Sequence, residues 1–223
     1  MYPKAKIIAG EYAAGIFQKD SAKSVMRELD HKFAVKSGVG PYEDLIDCLR
    51  VDIPVSDGDL IRAGDLMFRV INLPGHTKCS VGFYLESEKL LLGTETIGVY
   101  DGNGDVVPSY LVGYAMTLAS ISRVQELEVN RILVPHFGIL EKEETVRYLK
   151  QARRAAVETK EFICENLSAG KTNQEIIEKM KQRFWHGYIR TIYPVDAMEL
   201  NSNIMIELIR RECLERYDLN THK

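Results

Sequence analysis

Residues that mark special protein classes are scarce here. Only four of the 223 residues are cysteine, Cys48, Cys79, Cys164 and Cys213, and no two form a C-x-x-C pair. That excludes a disulfide scaffold and a four-cysteine zinc module, and it fits a reducing compartment. No apolar run approaches the ~20 residues that cross a bilayer, so no membrane helix is expected. Neither sign of charge is in excess: 29 Lys and Arg against 32 Asp and Glu leave a net charge of −3. Without a basic stripe, nucleic acid is not the expected partner. The first residues, "MYPKAKIIAG", lack the apolar centre of a secretory signal. The expectation is a cytoplasmic protein of one moderate domain, or a domain with an appendage. There are no internal repeats and no low-complexity tracts.

What is present is a mixed pattern. "AKIIAG" is a short apolar run ending in glycine and reads as a buried strand, and residues 11 to 29 suit a helix. In "VDIPVSDGDLIRAGDLMFRVINLPG" the apolar runs are broken at Asp57-Gly58 and at Ala63-Gly64-Asp65, and Asp-Gly between two runs predicts a hairpin. "LMFRVINL", "SVGFYLES" and "KLLLG" have strand composition, the last two joined by a tight "ESEK" turn. In "YLVGYAMTLASISRVQEL", Met116, Ile121, Val124 and Leu127 are spaced to share a helix face, and "RILVPHFG" reads as a buried strand stopped by proline. Beyond residue 140 the pattern turns helical. Val146, Leu149, Ala152, Ala156, Ile163 and Leu167 form one stripe ended by Gly170, Thr172 with Glu175 makes a capping box, and Pro194 opens a third helix through Met205, Leu208 and Ile209. The predicted organisation is an α/β core over 1–140 and a helical C-terminal extension over 141–223.

Three polar residues share one context. His76, Glu95 and His136 each lie just past a predicted buried strand, beside glycine or proline. Such positions project side chains from a rigid sheet into loops, where sites on sheets are usually built. Two imidazoles and a carboxylate suit zinc, iron or manganese, and such an ion activates water for attack on an ester, amide, thioester or phosphoester.

"DGDLI…LMFRVINLPGHTKCSVGFYLESEKLLLGTE", followed by "RILVPHFG", resembles the second half of the metallo-β-lactamase fold superfamily. The resemblance covers about residues 1 to 140, and its most specific parts are the Pro-Gly-His-Thr turn, the hairpin after it and the strand ending in an acidic residue. It implies part of an αββα sandwich. It also implies that His76 and His136 bind separate metals and that Glu95 bridges them. Zinc, with iron or manganese as alternatives, is the implied cofactor, and a small molecule the implied substrate. The implied activity is metal-dependent hydrolysis. Two alternatives stand beside it: a non-catalytic interaction module that self-associates on the same fold, and an iron-dependent redox protein.

The sequence departs from that family in two ways. The bridging position is usually aspartate, and Glu95 is one methylene longer. The family's main signature, H-x-H-x-D-H, is absent: the five histidines are His31, His76, His136, His186 and His222, and no two make that pattern. The expectation is a chain truncated at its N-terminus, with an incomplete metal site and weak or no activity by itself. The other polar clusters have plainer readings. "DGNGD" at 101–105 starts like a calcium loop but has Val106 where glycine is needed and Val112 at the last ligand position, so a polar turn is expected. "SGVGP" reads as a loop, Asp30-His31 as surface, Cys79 as a small buried residue opening a strand, and Trp185-His186 as a cluster docking one helix on the core.

Overall fold

The computed structural model describes residues 5–214. Their elements, in chain order, are strand β1 (Ile8–Gly10), helices α1 (Glu11–Ile16) and α2 (Asp20–Lys36), and strands β2 (Ile53–Val55), β3 (Leu60–Ala63), β4 (Leu66–Asn72), β5 (Val81–Leu85), β6 (Leu90–Leu92), β7 (Val99–Tyr100) and β8 (Val106–Val107). Helix α3 (Tyr114–Glu126), strands β9 (Arg131–Val134) and β10 (Gly138–Glu141), and helices α4 (Lys142–Ser168), α5 (Asn173–Phe184), α6 (Ile189–Ile192) and α7 (Val195–Ile209) follow. The chain divides into two compact units, 1–59 and 60–223.

In the first unit β1 and β2 pair in parallel, Ile8 opposite Ile53. The Asp52 carboxylate accepts the Ile7 N–H at 2.9 Å, and Arg27 on α2 is clamped by Asp44 at 2.6 Å and by Asp47. The expected single helix over 11–29 is two helices. Lys19 is extended, and Asp20 restarts the helix with a carboxylate in the first turn, where it complements the dipole. Val25, Leu29 and Phe33, four residues apart on α2, are all more than half exposed.

The second unit is built on a six-stranded sheet in the order β10-β9-β6-β5-β4-β3. The hairpin expected at Asp57-Gly58 does not form: β2 pairs with β1, and β3 turns instead through Gly64-Asp65 into β4, Ala63 opposite Leu66. Gly64 has φ +62°, a left-handed geometry that glycine adopts without penalty. The β5–β6 turn is a 3-10 turn at Glu86–Glu88 closed by Lys89 at φ +48°. All neighbouring strands run antiparallel except β6 and β9, which are parallel and are joined through α3. Ile71, Leu91 and Ile132 are buried at the sheet centre, each stabilising the fold by about 1.5–3 kcal/mol.

The same hydrophobic core takes in Ile121 and Val124 of α3, Leu149, Ala152, Ala156 and Ile163 of α4, Ile176 and Met180 of α5, and Met205 and Leu208 of α7. Met116 and Val146 are exposed, 39% and 63%, although their spacing placed them on buried faces. Met116 stands one position before buried Thr117 and Val146 one after buried Thr145, so each is turned about 100° from a side chain that does reach the core. Gly170 at φ +72° follows α4, and the Thr172–Glu175 capping box begins α5 as expected. Helix α4 is tied down at its first turns: Thr145 donates to Leu140 O at 2.9 Å, Tyr148 to Gly98 O at 2.7 Å, and Tyr100 to Glu144 at 2.8 Å.

Candidate functional site

The Pro74-Gly75-His76-Thr77 turn follows β4 and is held from several sides. Leu73 N donates to Ser80 O at 2.9 Å, Ser120 Oγ donates to Pro74 O at 2.7 Å, and the N–H groups of Leu111 and Val112 both donate to Gly75 O at 2.9 Å. Gly75 has φ +146°. A β-carbon there would lie 2.2 Å from Thr117 Oγ1 and 2.8 Å from Thr96 Cγ2, so only glycine fits. The His76 N–H donates to Thr96 Oγ1 at 3.1 Å, which couples the turn to the loop carrying Glu95.

Glu95 and His136 are brought together by strand register. Leu92 on β6 lies opposite Leu133 on β9, and Gly93 N extends the ladder to Leu133 O at 2.9 Å. Glu95 and His136 each stand three residues beyond that matched pair, at the same end of two parallel neighbours. Thr94 caps the 3-10 turn Glu95–Ile97. His136 takes a left-handed conformation, φ +66°, and its carbonyl accepts a hydrogen bond from Tyr188 Oη. The Tyr188 ring also packs edge-on against Phe137, with centroids 5.6 Å apart.

The Glu95 carboxylate therefore sits between two imidazoles. His136 Nε2 lies 3.1 Å from Oε1, and His76 Nε2 lies 3.6 Å from Oε2. The other ring nitrogen of His76, Nδ1, is 2.8 Å from Ser109 Oγ and 3.2 Å from Ser109 O. The His76, Glu95 and His136 side chains are 19%, 24% and 40% exposed, so the site is open to solvent, most of all at His136. Among the described residues no group of three or more His, Cys, Asp or Glu stands ready to hold a metal ion, because each histidine faces a carboxylate oxygen rather than a shared empty point. As a donor set the three nevertheless suit a divalent ion. The Ser109 carbonyl can only accept, so Nδ1 carries the proton and the Nε2 lone pair of a neutral His76 faces a carboxylate oxygen. Two acceptors face to face need a proton or a cation between them.

Residues around this trio carried no signal in the sequence. Ser109 is 3% exposed, in the segment after β8. Tyr193, just before α7, receives a hydrogen bond from Asn201 Nδ2. Burial raises the Tyr193 pKa, and the negative charge of Glu95 raises it further. Tyr193 O accepts from Trp185 Nε1 at 2.8 Å, so Trp185 does dock the helical part, while His186 is exposed. The 101–105 stretch is a β7–β8 hairpin loop in which Asp101 Oδ1 accepts from Asn103 N and Asp105 N. His31 is exposed on α2, and Cys79 is half-buried two residues before β5.

No family model matches the chain. A hydroxyacylglutathione hydrolase of Nitrobacter winogradskyi is 34% identical over 70 residues, which is 31% of this chain and 27% of that protein. An uncharacterised protein of Aquifex aeolicus is 34% identical over 61 residues, 27% of this chain and 29% of that protein. Among solved structures, a metallo-β-lactamase family protein from Thermus thermophilus superimposes with a TM-score of 0.55 at 19% identity, covering 91% of this chain and 66% of that one. A β-lactamase domain protein from Burkholderia ambifaria gives 0.52 at 14% identity, covering 91% and 59%. The matches thus span under a third of these two curated relatives and about two thirds or less of the solved chains.

Proposed function

We propose, for a chain that carries the metallo-β-lactamase fold, that His76, Glu95 and His136 hold a divalent metal ion in a hydrolase site. The single observation that carries this reading is the Glu95 carboxylate between two imidazole Nε2 atoms, at 3.1 and 3.6 Å. Zinc is the first choice for two imidazoles and a carboxylate, with iron and manganese as alternatives. When bound, such an ion supplies Lewis acidity toward a carbonyl or phosphoryl oxygen and acidifies water. The chain's own residues do the rest. The Gly75 turn fixes His76, the β6–β9 register fixes Glu95 against His136, and Ser109 holds the His76 ring. Glu95, longer than the usual aspartate, reaches both imidazoles from its 3-10 turn.

The relatives' name supports a thioester as substrate, and a hydroxyacylglutathione is the probe to use. Residues 1–223 contain no H-x-H-x-D-H, the pattern that carries the usual catalytic aspartate, and weak turnover or none is the expectation for this chain by itself. The test is metal titration of the purified chain with zinc, manganese and ferrous iron, beside thioester hydrolysis. A single exchangeable ion is expected, lost in His76→Ala, Glu95→Ala and His136→Ala, with little turnover. Retention of the ion by the triple variant overturns the site, and tight binding of two ions overturns the single-metal reading.

Self-association has a separate support in the exposed stripe Val25, Leu29 and Phe33 on α2. A contiguous apolar surface of this kind marks contact sites. Sedimentation velocity is the measurement: a larger species that Leu29→Glu with Phe33→Glu converts to monomer supports it, and a monomer throughout rejects it.

A further inference from the structure

We propose that the cleft between α4 and the β7–β8 loop binds a multiply charged oxyanion, phosphoryl or carboxylate, through Arg147, Lys150 and Arg154. The cleft shares no residue with the His76–Glu95–His136 trio, and its test needs no metal. Arg147, Lys150 and Arg154 follow one another on α4 at steps of three and four residues, a spacing that puts side chains on one helix face. That face lines a cleft of about 510 Å³, within the roughly 300–1,000 Å³ that small-molecule sites occupy. The opposite wall is the loop tip Gly102-Asn103-Gly104. Gln151 on α4 ties the two walls together, donating from Nε2 to Asp105 Oδ1 at 3.0 Å. Tyr100 closes the inner side, and its ring packs edge-on against Phe137 with centroids 4.7 Å apart, so the cleft begins one ring away from His136.

The charges lining this cleft do not cancel. Three cations face one carboxylate, Glu144, and that carboxylate accepts the Tyr100 hydroxyl at 2.8 Å. Among the described residues neither Arg147 nor Lys150 has an ion-pair or hydrogen-bond partner. Arg154 gives Nε to Glu158 at 2.6 Å and keeps both terminal NH₂ groups for another acceptor. Asp105 attracts Arg154 as well, but its Oδ1 is taken by Gln151. In the loop, Asp101 Oδ1 accepts the N–H groups of Asn103 and Asp105, which leaves those of Gly102 and Gly104 without a partner among the described residues. Loop N–H groups turned outward in this way are backbone donors for anions. An ordinary solvated helix face interleaves its cations with carboxylates, as α4 itself does one turn later, where Glu158 joins Arg154 and Arg183. Like charges three and four residues apart repel. An oxyanion seated among Arg147, Lys150 and Arg154 turns that repulsion into attraction.

The experiment is a ¹H–¹⁵N NMR titration of the metal-free full chain with inorganic phosphate and with citrate, against chloride at equal ionic strength. Phosphate or citrate is expected to shift the Gly102 and Gly104 amides to saturation, and chloride to leave them in place. Arg147→Gln and Lys150→Gln are each expected to weaken binding roughly tenfold. Both side chains are exposed, so the variants are expected to fold, with far-UV circular dichroism as the check. Arg153→Gln removes the same charge from α4 outside the cleft, where Arg153 donates to Ser122 Oγ, and is expected to bind like the parent. Tighter binding of phosphate assigns the site to phosphoryl groups, and tighter binding of citrate assigns it to carboxylates. The proposal is overturned by shifts that chloride reproduces, by shifts that never saturate, or by an Arg153→Gln variant that loses as much affinity as Arg147→Gln.

Discussion

At Gly75 the backbone has φ +146°, and a β-carbon would meet Thr117 Oγ1 at 2.2 Å. Gly75→Ala is expected to destabilise the fold by about 2–4 kcal/mol, the sum of backbone strain and a forced repacking. Urea unfolding reads the loss, and the His76 resonances move with it because the adjacent N–H is tied to Thr96. Tyr188 makes a milder case. Its hydroxyl satisfies the carbonyl of His136, whose left-handed conformation is uncommon away from glycine. Tyr188→Phe is expected to cost about 1 kcal/mol and to broaden the His136 ring signals. His76, Glu95 and His136 were legible in the sequence because Pro-Gly, Gly-Thr and Val-Pro mark strand ends. Ser109 and Tyr193 were not, since a serine after proline and a tyrosine before one carry no periodic or compositional mark.

Among the elements, α5 shows what a local signal can carry. The Thr172–Glu175 capping box is readable four residues at a time and forms as read, and Thr172→Ala is expected to cost about 1 kcal/mol. Glu175 is held down to about 2 by the Thr172 N–H first, then by Lys171 and the Thr172 hydroxyl. A depressed carboxylate stabilises the folded state above its unfolded pKa, about 4.3, and that contribution is lost as pH falls from there toward 2. Glu175→Gln flattens the acid limb of a thermal-unfolding series across that window. Longer-range elements were less legible. Asp57-Gly58 is a good turn, but whether its flanking strands pair is decided by β1, which lies far off in sequence and takes β2, and by the competing Gly64-Asp65 turn that pairs β3 with β4. The single helix expected over 11–29 was broken by one extended residue, Lys19, that no apolar period reveals.

Across the second unit, buried tyrosines make the core sensitive to alkali. Burial, and then the hydrogen bond to Glu144, push Tyr100 up to about 12, and burial raises Tyr148 still more. A raised tyrosine contributes its full stability below the unfolded pKa, about 10, and loses it as pH climbs through the folded value. Unfolding is therefore expected to set in between about pH 10 and 12, and Tyr100→Phe to shift that onset upward, read by near-UV circular dichroism. Among the described residues no helix is long and apolar enough to cross a membrane. The sheet register has a consequence in time as well as space. The β3–β6 meander can form from neighbours in the chain, but Glu95 and His136 are 41 positions apart and meet only when β9 closes beside β6 after the α3 crossover. Such distant parallel pairings form slowly. A nascent or partly unfolded chain could therefore hold His76 near Glu95 through the meander alone, and the trio would be complete only once the crossover had brought in His136.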